Sequence, residues 1–341
     1  MVETLLTELV NVLIVGVSFI VLNLASNLAI NNAVRVSNIT RLGKTAVGFS
    51  MLAFSTSLPE LTVALIAASS GSAPISVGNV LGSNIVNICV IVGVAAAILH
   101  FRQYRKHSGS NRSNVIPSFA KSELSNIHFG LFISSIIPLS LIYISQATWV
   151  VGLILISIFI VYMYQLLKVR IPSENGEVTQ EEKSKLRQYI SFTVLGALGV
   201  AVSSYFLVES SVAIAQSVGI PQTVIGATII ALGTSLPELT LDLKSILKGH
   251  PALAFGDIVG SSFVNITLIL GITFLVPALL GTPTRINMNV YQNLVVFSII
   301  ANLLFWYFLS RERISWKEGA MFLFIYILFL ATTLGEIRPQ S

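Results

Sequence analysis

The sequence predicts an all-α polytopic membrane protein with ten transmembrane helices, arranged as two inverted five-helix repeats. Three observations support this prediction: an apolar composition, apolar runs of spanning length, and an internal repeat. Of the 341 residues, 54% are hydrophobic and only 10% are charged, and the mean hydropathy is +0.83. Soluble domains carry about 25% charged residues. The composition therefore excludes an ordinary soluble protein and indicates a chain that lies in lipid.

The apolar runs have the length that a membrane-spanning helix requires. Residues 124–143, 149–167 and 290–309 each approach the roughly 20 apolar residues needed to cross the hydrocarbon core. The runs lack the alternation of barrel strands, and helices satisfy their own backbone groups in lipid. The ten spans are predicted near residues 8–32, 44–70, 74–100, 124–145, 148–168, 189–217, 222–248, 251–280, 288–310 and 316–335.

The distribution of Lys and Arg predicts how the spans are oriented. With both termini outside, 18 of the 20 basic residues fall in inner loops, and only Arg285 and Arg338 lie outside. Short loops rich in Lys and Arg stay in the cytoplasm. We therefore expect a multi-pass plasma-membrane protein, with the lipid bilayer as its surroundings. The basic charge is scattered among loops, which disfavours a nucleic-acid partner, and we expect a monomer.

An internal repeat divides the chain into two halves. Residues 45–93 align without a gap with residues 223–271, and 20 of the 49 positions are identical. A segment Thr-Ser-Leu-Pro-Glu-Leu-Thr begins at Thr56 and recurs at Thr234. The predicted units are residues 1–168, a cytoplasmic linker at 169–188, and residues 189–341. Five spans per half is an odd number, so the second half would enter the membrane from the opposite side.

Two glutamates occupy the centre of the repeated segments. Glu60 and Glu238 each stand about fifteen residues from one end of a predicted span, which places them near the bilayer midplane at about 1.5 Å per residue. A carboxylate without a partner costs several kcal/mol there, and the predicted membrane centre offers no Lys or Arg. The missing partner is a cation. One Ca2+ neutralises two carboxylates, and Ca2+ prefers six to eight oxygen ligands.

Neighbouring residues offer further oxygen atoms. Pro59 and Pro237 lack an amide proton, so the sequence predicts free carbonyl groups one turn earlier, at Ser55, Gly233, Ala53 and Ala231. Hydroxyl and amide side chains recur at matching places in the two halves, and such neutral oxygen donors suit Na+ and Ca2+ better than transition metals. These side chains are Thr56, Ser57, Ser83, Asn87, Thr234, Ser235, Ser261 and Asn265.

Together these motifs resemble the alpha repeats of the cation/calcium antiporter superfamily, most closely its prokaryotic sodium/calcium exchangers. The resemblance covers nearly the whole chain. It implies secondary active exchange of Ca2+ for Na+ without a cofactor. It also implies three groups of site residues: Glu60, Glu238 and the carbonyls of Thr56 and Thr234 for Ca2+; Ala53, Ser57, Ser83, Ala231, Ser235 and Ser261 for Na+; and Asn87 with Asn265 as a central pair.

Some positions depart from the family pattern and leave alternatives open. Asn265 stands where potassium-dependent relatives have Asp, which disfavours K+ coupling, and Asn79 lies in a stretch without the acid typical of proton-coupled relatives. Asp257, however, adds a candidate proton site, so a proton/calcium exchanger is the alternative. Asp242 is expected either to pair with nearby lysines or to line an inner vestibule. Glu209 is expected either to form a structural hydrogen bond or to line an outer approach.

Two other functional classes fit the sequence less well. A channel requires an open pore, which the proline-interrupted repeat disfavours. An intramembrane enzyme requires a nucleophile with a base, or a pair of metal-binding histidines, within the spans. The four histidines all lie at predicted helix ends or in loops, and the one cysteine, Cys89, lies in an apolar run.

Overall fold

The computed structural model describes residues 2–69, 71, 73–105, 121–144, 146–168, 180–217, 233, 235–282, 286–311 and 314–336. Nearly all of these residues are helical. The helices are α1 (Val2–Thr40), α2 (Lys44–Val47), α3 (Ala53–Thr56), α4 (Leu58–Ser69), α5 (Ala73–Val86), α6 (Val92–Arg105), α7 (Lys121–Ile144), α8 (Trp149–Leu166), α9 (Gln180–Ser184), α10 (Leu186–Ser217), α11 (Leu236–Leu247), α12 (Pro251–Val264), α13 (Leu270–Leu279), α14 (Gln292–Ser310) and α15 (Trp316–Glu336).

Shorter elements join these helices. Among the described residues, three π-helical turns, Gly48–Leu52, Asn87–Ile91 and Asn265–Ile269, continue one α-helix into the next, and a 3-10 turn, Met288–Tyr291, precedes α14. Two short strands, β1 (Gln146–Ala147) and β2 (Ile286–Asn287), pair antiparallel. In this pairing Gln146 lies opposite Asn287, so the segment after α7 is joined to the segment before α14.

The number of spanning helices can be compared with the ten predicted spans. Within the described residues, eight helices are long and apolar enough to cross a membrane, and a bent pair, Lys44–Thr56 and Leu58–Ser69, makes a ninth. In the predicted span near 222–248, residues 222–232 and 234 lie outside the described residues, and the described part, 233 and 235–248, contains α11. The structure thus confirms an all-helical membrane architecture, and the count of ten stays a prediction.

Helix boundaries recur along the chain at the spacing of the sequence repeat. Helix α4 begins at Leu58 and α11 at Leu236, and the π turns begin at Asn87 and Asn265, so both pairs are 178 residues apart. The same spacing relates α5 to α12 at both ends, from Ala73–Val86 to Pro251–Val264. Residues that repeat in sequence therefore build the same succession of helix, π turn and helix.

The two repeats meet where α12 crosses the segment Lys44–Thr56. A Cβ atom on Gly256 would lie 2.2 Å from the Thr45 carbonyl oxygen, and one on Gly260 would lie 2.6 Å from Phe49 Cα. A Cβ on Gly48 would lie 2.1 Å from the Leu253 carbonyl oxygen. The two backbones are in direct contact at these glycines, which is how small residues let membrane helices approach.

The short helix α9 precedes α10 and is exposed. Lys185 donates a hydrogen bond to Glu181 Oε1 at 2.6 Å, and this contact holds the pKa of Glu181 below its ordinary value. Both side chains are exposed. This ion pair lies outside the spanning helices.

Candidate functional site

In both repeats a helix begins two residues before the glutamate, after a serine with non-helical backbone angles. Ser57 separates α3 from α4 with φ −82° and ψ 9°, and Ser235 precedes α11 with φ −94° and ψ 8°. Pro59 and Pro237 follow as second residues of the new helices, where a missing amide proton costs no helical hydrogen bond. The axes before and after Ser57 differ by 44°. The proline therefore starts a new helix that carries the glutamate in its first turn.

The backbone around the first break differs in one respect from the expectation. The Ala53 carbonyl was expected to be free, but it accepts hydrogen bonds from the Ser57 amide at 3.1 Å and from Thr56 Oγ1 at 3.3 Å. Because the next helix begins at Leu58, the residues before the break complete their own last helical turn. A carbonyl oxygen has two lone pairs, and in Ala53 both meet donors from that same turn.

The two repeated glutamates lie in the protein interior. Glu60 and Glu238 are both 0% exposed. Within the described chain, neither carboxylate oxygen of Glu60 accepts a hydrogen bond, and Glu238 Oε2 likewise has no donor. Glu238 Oε1 accepts one bond at 3.5 Å, from the Ser57 hydroxyl of the opposite repeat. Most of the hydrogen-bonding capacity of these two carboxylates is therefore unused by the protein.

A second group of polar side chains joins the first helix break to α12. Thr56 Oγ1 lies 3.5 Å from Asp257 Oδ1 and 3.4 Å from Ser261 Oγ, and Ser261 Oγ lies 3.5 Å from the same Asp257 oxygen. All three side chains are fully buried. Thr56 also donates to the Leu52 carbonyl at 3.1 Å. Thr56 belongs to the first repeat and the other two residues to the second, and the fold brings them into contact.

The two central asparagines each begin a π-helical turn. Asn265 Nδ2 donates to Asn84 Oδ1 at 3.0 Å, across the two repeats. Asn265 Oδ1 and both side-chain amide atoms of Asn87 are buried and have no partner among the described residues. A π turn inserts one residue into a helix and is frequent at functional sites. Both asparagines therefore keep amide oxygens available in the interior.

The remaining predicted residues are placed as follows. Ser83 is buried on α5, and its side chain faces the Glu60 carboxylate. The Ser235 hydroxyl is 1% exposed and, in the part of the chain that is described, has no hydrogen-bond partner. Ala231 and Thr234 lie outside the described residues. The first break and its glutamate are thus described completely, and the second only from Ser235 onward.

Asp242 and Glu209 differ in burial. Glu209 lies on α10 and is exposed. Asp242 is 0% exposed, and its expected lysine partners point elsewhere. Lys244 Nζ donates to the Asn23 carbonyl and side chain, both at 2.6 Å, and Lys248 Nζ donates to Asn31 at 2.9 Å. The ion pair expected for Asp242 is therefore not formed.

Sequence reasoning missed several polar contacts at this site. Asn84, the partner of Asn265, aligns with Ser262 in the other repeat, so identity between repeats could not mark it. The Ser76 and Thr273 hydroxyls lie 2.6 Å apart and also join the two halves. The only available signal was a polar side chain within an apolar run. Which of those side chains meet depends on how the repeats pack.

The arrangement is suited to holding hard cations. It gathers buried carboxylates, hydroxyls and amide oxygens, and Na+ and Ca2+ prefer such ligands. Within the described residues, neither Glu60 nor Glu238 forms an ion pair with a basic side chain. Buried carboxylates in a membrane interior require compensation of this kind.

Comparison with known proteins was consistent with this chemistry. A family model described as sodium/calcium exchanger protein matches residues 10–168 and 189–335. The sodium/calcium exchanger MaX1 of Methanosarcina acetivorans is 27% identical over 352 residues, which is 94% of this chain and 97% of MaX1. The inner membrane protein YrbG of Escherichia coli is 29% identical over 273 residues, 76% of this chain and 78% of YrbG.

A solved structure shares the fold. The sodium-calcium exchanger NCX_Mj, soaked with 10 mM Na+ and zero Ca2+, superposes with a TM-score of 0.78 and 24% sequence identity. The match covers 95% of this chain and 99% of that structure. The likeness therefore extends over the whole helical architecture.

Proposed function

The chain belongs to the sodium/calcium exchanger protein family, and from this membership we propose that it exchanges Ca2+ for Na+ across the membrane by alternating access. The resemblance predicted from the paired motifs is confirmed. Family and fold together make the protein a cation/Ca2+ antiporter and a transporter, not an enzyme. The choice of Na+ as the coupling ion, and the residues that bind each ion, are our proposals.

The unused carboxylate oxygens of Glu60 and Glu238 carry the proposal. Both side chains are fully buried, and three of their four oxygens lack a donor within the described chain. One Ca2+ neutralises the pair, and the Thr56 carbonyl is proposed as a further ligand. The Thr234 carbonyl is its proposed counterpart from the other repeat. Na+ ions would use the surrounding hydroxyls of Ser57, Ser83, Ser235 and Ser261 and the Ala231 carbonyl, with Asn87 and Asn265 between them.

Competition for one set of oxygens explains coupling. Ca2+ and Na+ would share the buried carboxylates, so the carrier holds one kind of ion or the other. An empty carrier would have to move two uncompensated charges through a low-dielectric interior, which costs several kcal/mol per charge. The empty protein therefore reorients slowly, and transport in one direction requires a counter-ion in the other. No cofactor is needed for this cycle.

The membrane arrangement follows from the same proposal. We propose ten helices in two inverted five-helix repeats, residues 1–168 and 189–341, joined by a cytoplasmic linker at 169–188. The recurrence of helix ends at a spacing of 178 residues supports this division. The basic loops support termini outside the cell and a plasma-membrane location. A monomer suffices for the cycle, because one chain supplies both repeats.

The coupling ion can be tested by flux. Purified protein in liposomes loaded with Na+ is expected to take up 45Ca2+ when diluted into Na+-free buffer, because outward Na+ flow drives Ca2+ inward. Equal Na+ on both sides at the same pH is the control and is expected to abolish net uptake. Uptake that ignores the Na+ gradient and follows an imposed pH gradient would contradict Na+ coupling.

A proton/calcium exchanger is the second candidate, and Asp257 is the observation that favours it. Its side chain is 0% exposed, and its carboxylate contacts Thr56 and the proposed Na+ ligand Ser261. A proton carried there would replace one Na+ in the cycle. In that case the Asp257→Asn variant would lose the pH dependence of uptake, whereas a Na+-coupled carrier would keep its response to the Na+ gradient.

A further inference from the structure

Asp242 and Asp257 lie at matching depths in one antiparallel helix pair. Helices α11 and α12 are joined by a short turn and pack against each other. Asp242 lies five residues before the last residue of α11, and Asp257 lies six residues after the first residue of α12. At about 1.5 Å per residue, both stand about 7–9 Å from the turn. Their side chains face each other directly.

This pair is offset from the two repeated glutamates along the helix hairpin, although Asp257 also contacts Thr56 and Ser261. Glu238 is four residues from Asp242 on α11, so Asp242 lies one turn, about 6 Å, closer to the end of the hairpin. Each carboxylate of the aspartate pair is 0% exposed. Neither oxygen of Asp242 has a hydrogen-bond partner among the described residues, and Asp257 Oδ2 has none either. The same face of α11 presents the Ser245 hydroxyl, which is also buried without a described partner.

The charge of the pair is not balanced by a basic side chain. No ion pair involving either aspartate occurs within the described ranges. Lys244, the nearest lysine on α11, donates instead to Asn23 and to Ser26 Oγ at 2.9 Å on α1. Glu60, Glu238, Asp242 and Asp257 together carry a formal charge of minus four, and one Ca2+ at the glutamates balances only half of it. Two facing carboxylates in such an interior cannot both stay charged without compensation, and a bound cation supplies it.

We propose that Asp242 and Asp257 form a second cation site, one helical turn from the glutamates, that takes a hard divalent ion such as Ca2+. The two carboxylates match the charge of a divalent ion, and together they offer three oxygens without another described partner. Ser245 adds a neutral oxygen on the same helix face. This inference rests on the proposed function, because it takes the glutamate pair as occupied by its own Ca2+. The site lies on the approach from the cytoplasmic turn of the hairpin.

Counting bound ions tests the proposal without measuring transport. Equilibrium dialysis of the purified full chain against 45Ca2+ in Na+-free buffer is expected to give two Ca2+ per chain. The Asp242→Asn variant removes one charge with little change in volume and is expected to bind one. The Glu60→Gln variant is expected to retain the other ion, at the aspartates. The Glu181→Gln variant, an exposed acid in the linker, is the matched control and is expected to bind two.

Each other outcome has a defined meaning. If the unmodified chain binds one Ca2+, lost in Glu60→Gln and kept in Asp242→Asn, the second site is wrong and the proposed function stands. If Asp242→Asn loses both ions while eluting as a monodisperse folded protein, the sites are not separate and the inference also fails. An unmodified, folded chain that binds no Ca2+ contradicts the proposed function as well. Asp257→Asn repeats the test should Asp242→Asn aggregate.

Discussion

Replacing Glu60 or Glu238 with Gln is expected to lower Na+-driven Ca2+ uptake by more than about 100-fold. Each substitution keeps the side-chain shape and removes one charge from a pair that is fully buried. Breaking a buried charge pairing costs about 3–5 kcal/mol, and every 1.36 kcal/mol is a factor of ten. The measurement is initial 45Ca2+ uptake into Na+-loaded liposomes, with equal amounts of each reconstituted variant.

The control for this experiment is the Glu181→Gln variant. Glu181 is an exposed acid whose partner is Lys185, outside the spanning helices, so uptake is expected to stay within about twofold of the unmodified chain, because surface ion pairs contribute little. The glutamine variants are expected to unfold at the same or a higher temperature in ion-free buffer, since each removes a buried charge. Near-normal uptake by both glutamine variants would show that these carboxylates do not hold the transported ion.

Replacing Gly256 with Val is expected to destabilise the protein by about 3 kcal/mol or more and to abolish uptake. Its Cβ would lie 2.2 Å from the Thr45 carbonyl oxygen and 2.8 Å from Thr45 Cα, so the obstructing atoms are backbone and cannot rotate away. Overfilling an interior costs about 1–3 kcal/mol, sometimes more, and here two helices must separate. Thermal unfolding of the detergent-purified protein measures the effect.

The Gly16→Val variant is the matched control for helix propensity. Gly16 is also within a helix, α1, and an added Cβ there would have no atom within 4 Å. Both substitutions exchange glycine for the same β-branched residue, so a difference between them reports the close helix contact alone. Equal unfolding temperatures for the two variants would show that α12 and Lys44–Thr56 are not in backbone contact.

Much of the helical architecture could be predicted from local sequence. Apolar runs predicted spans that the structure places at α7, α8 and α14, since a run of about 20 apolar residues has no other stable arrangement in lipid. The repeat predicted matching segments, and helices α4 and α11 do begin 178 residues apart. Other boundaries differ from the prediction. The first span was predicted at 8–32, whereas α1 extends from Val2 to Thr40, because a helix can continue through polar residues beyond the hydrocarbon core.

The π turns at Asn87 and Asn265 were not predicted. A single inserted residue leaves the apolar periodicity almost unchanged, so no sequence pattern separates a π turn from a continuous α-helix. The prediction that the Ala53 carbonyl lacks a hydrogen-bond partner was wrong for a related reason. A proline indicates a helix break, but the carbonyl that loses its partner depends on the residue at which the next helix begins. Here the Ser57 amide completes the turn before the break by donating to the Ala53 carbonyl.

The sequence by itself determined the class of protein and predicted the chemistry of its centre, because a carboxylate within an apolar span needs compensation wherever its helix lies. Only the tertiary structure decided which polar groups meet. It joined Ser57 to Glu238, Asn84 to Asn265 and Asp242 to Asp257, and it turned Lys244 away to α1. These contacts connect residues from different helices, and their partners depend on the angle and closeness at which the glycine-lined helices cross, which no local pattern encodes.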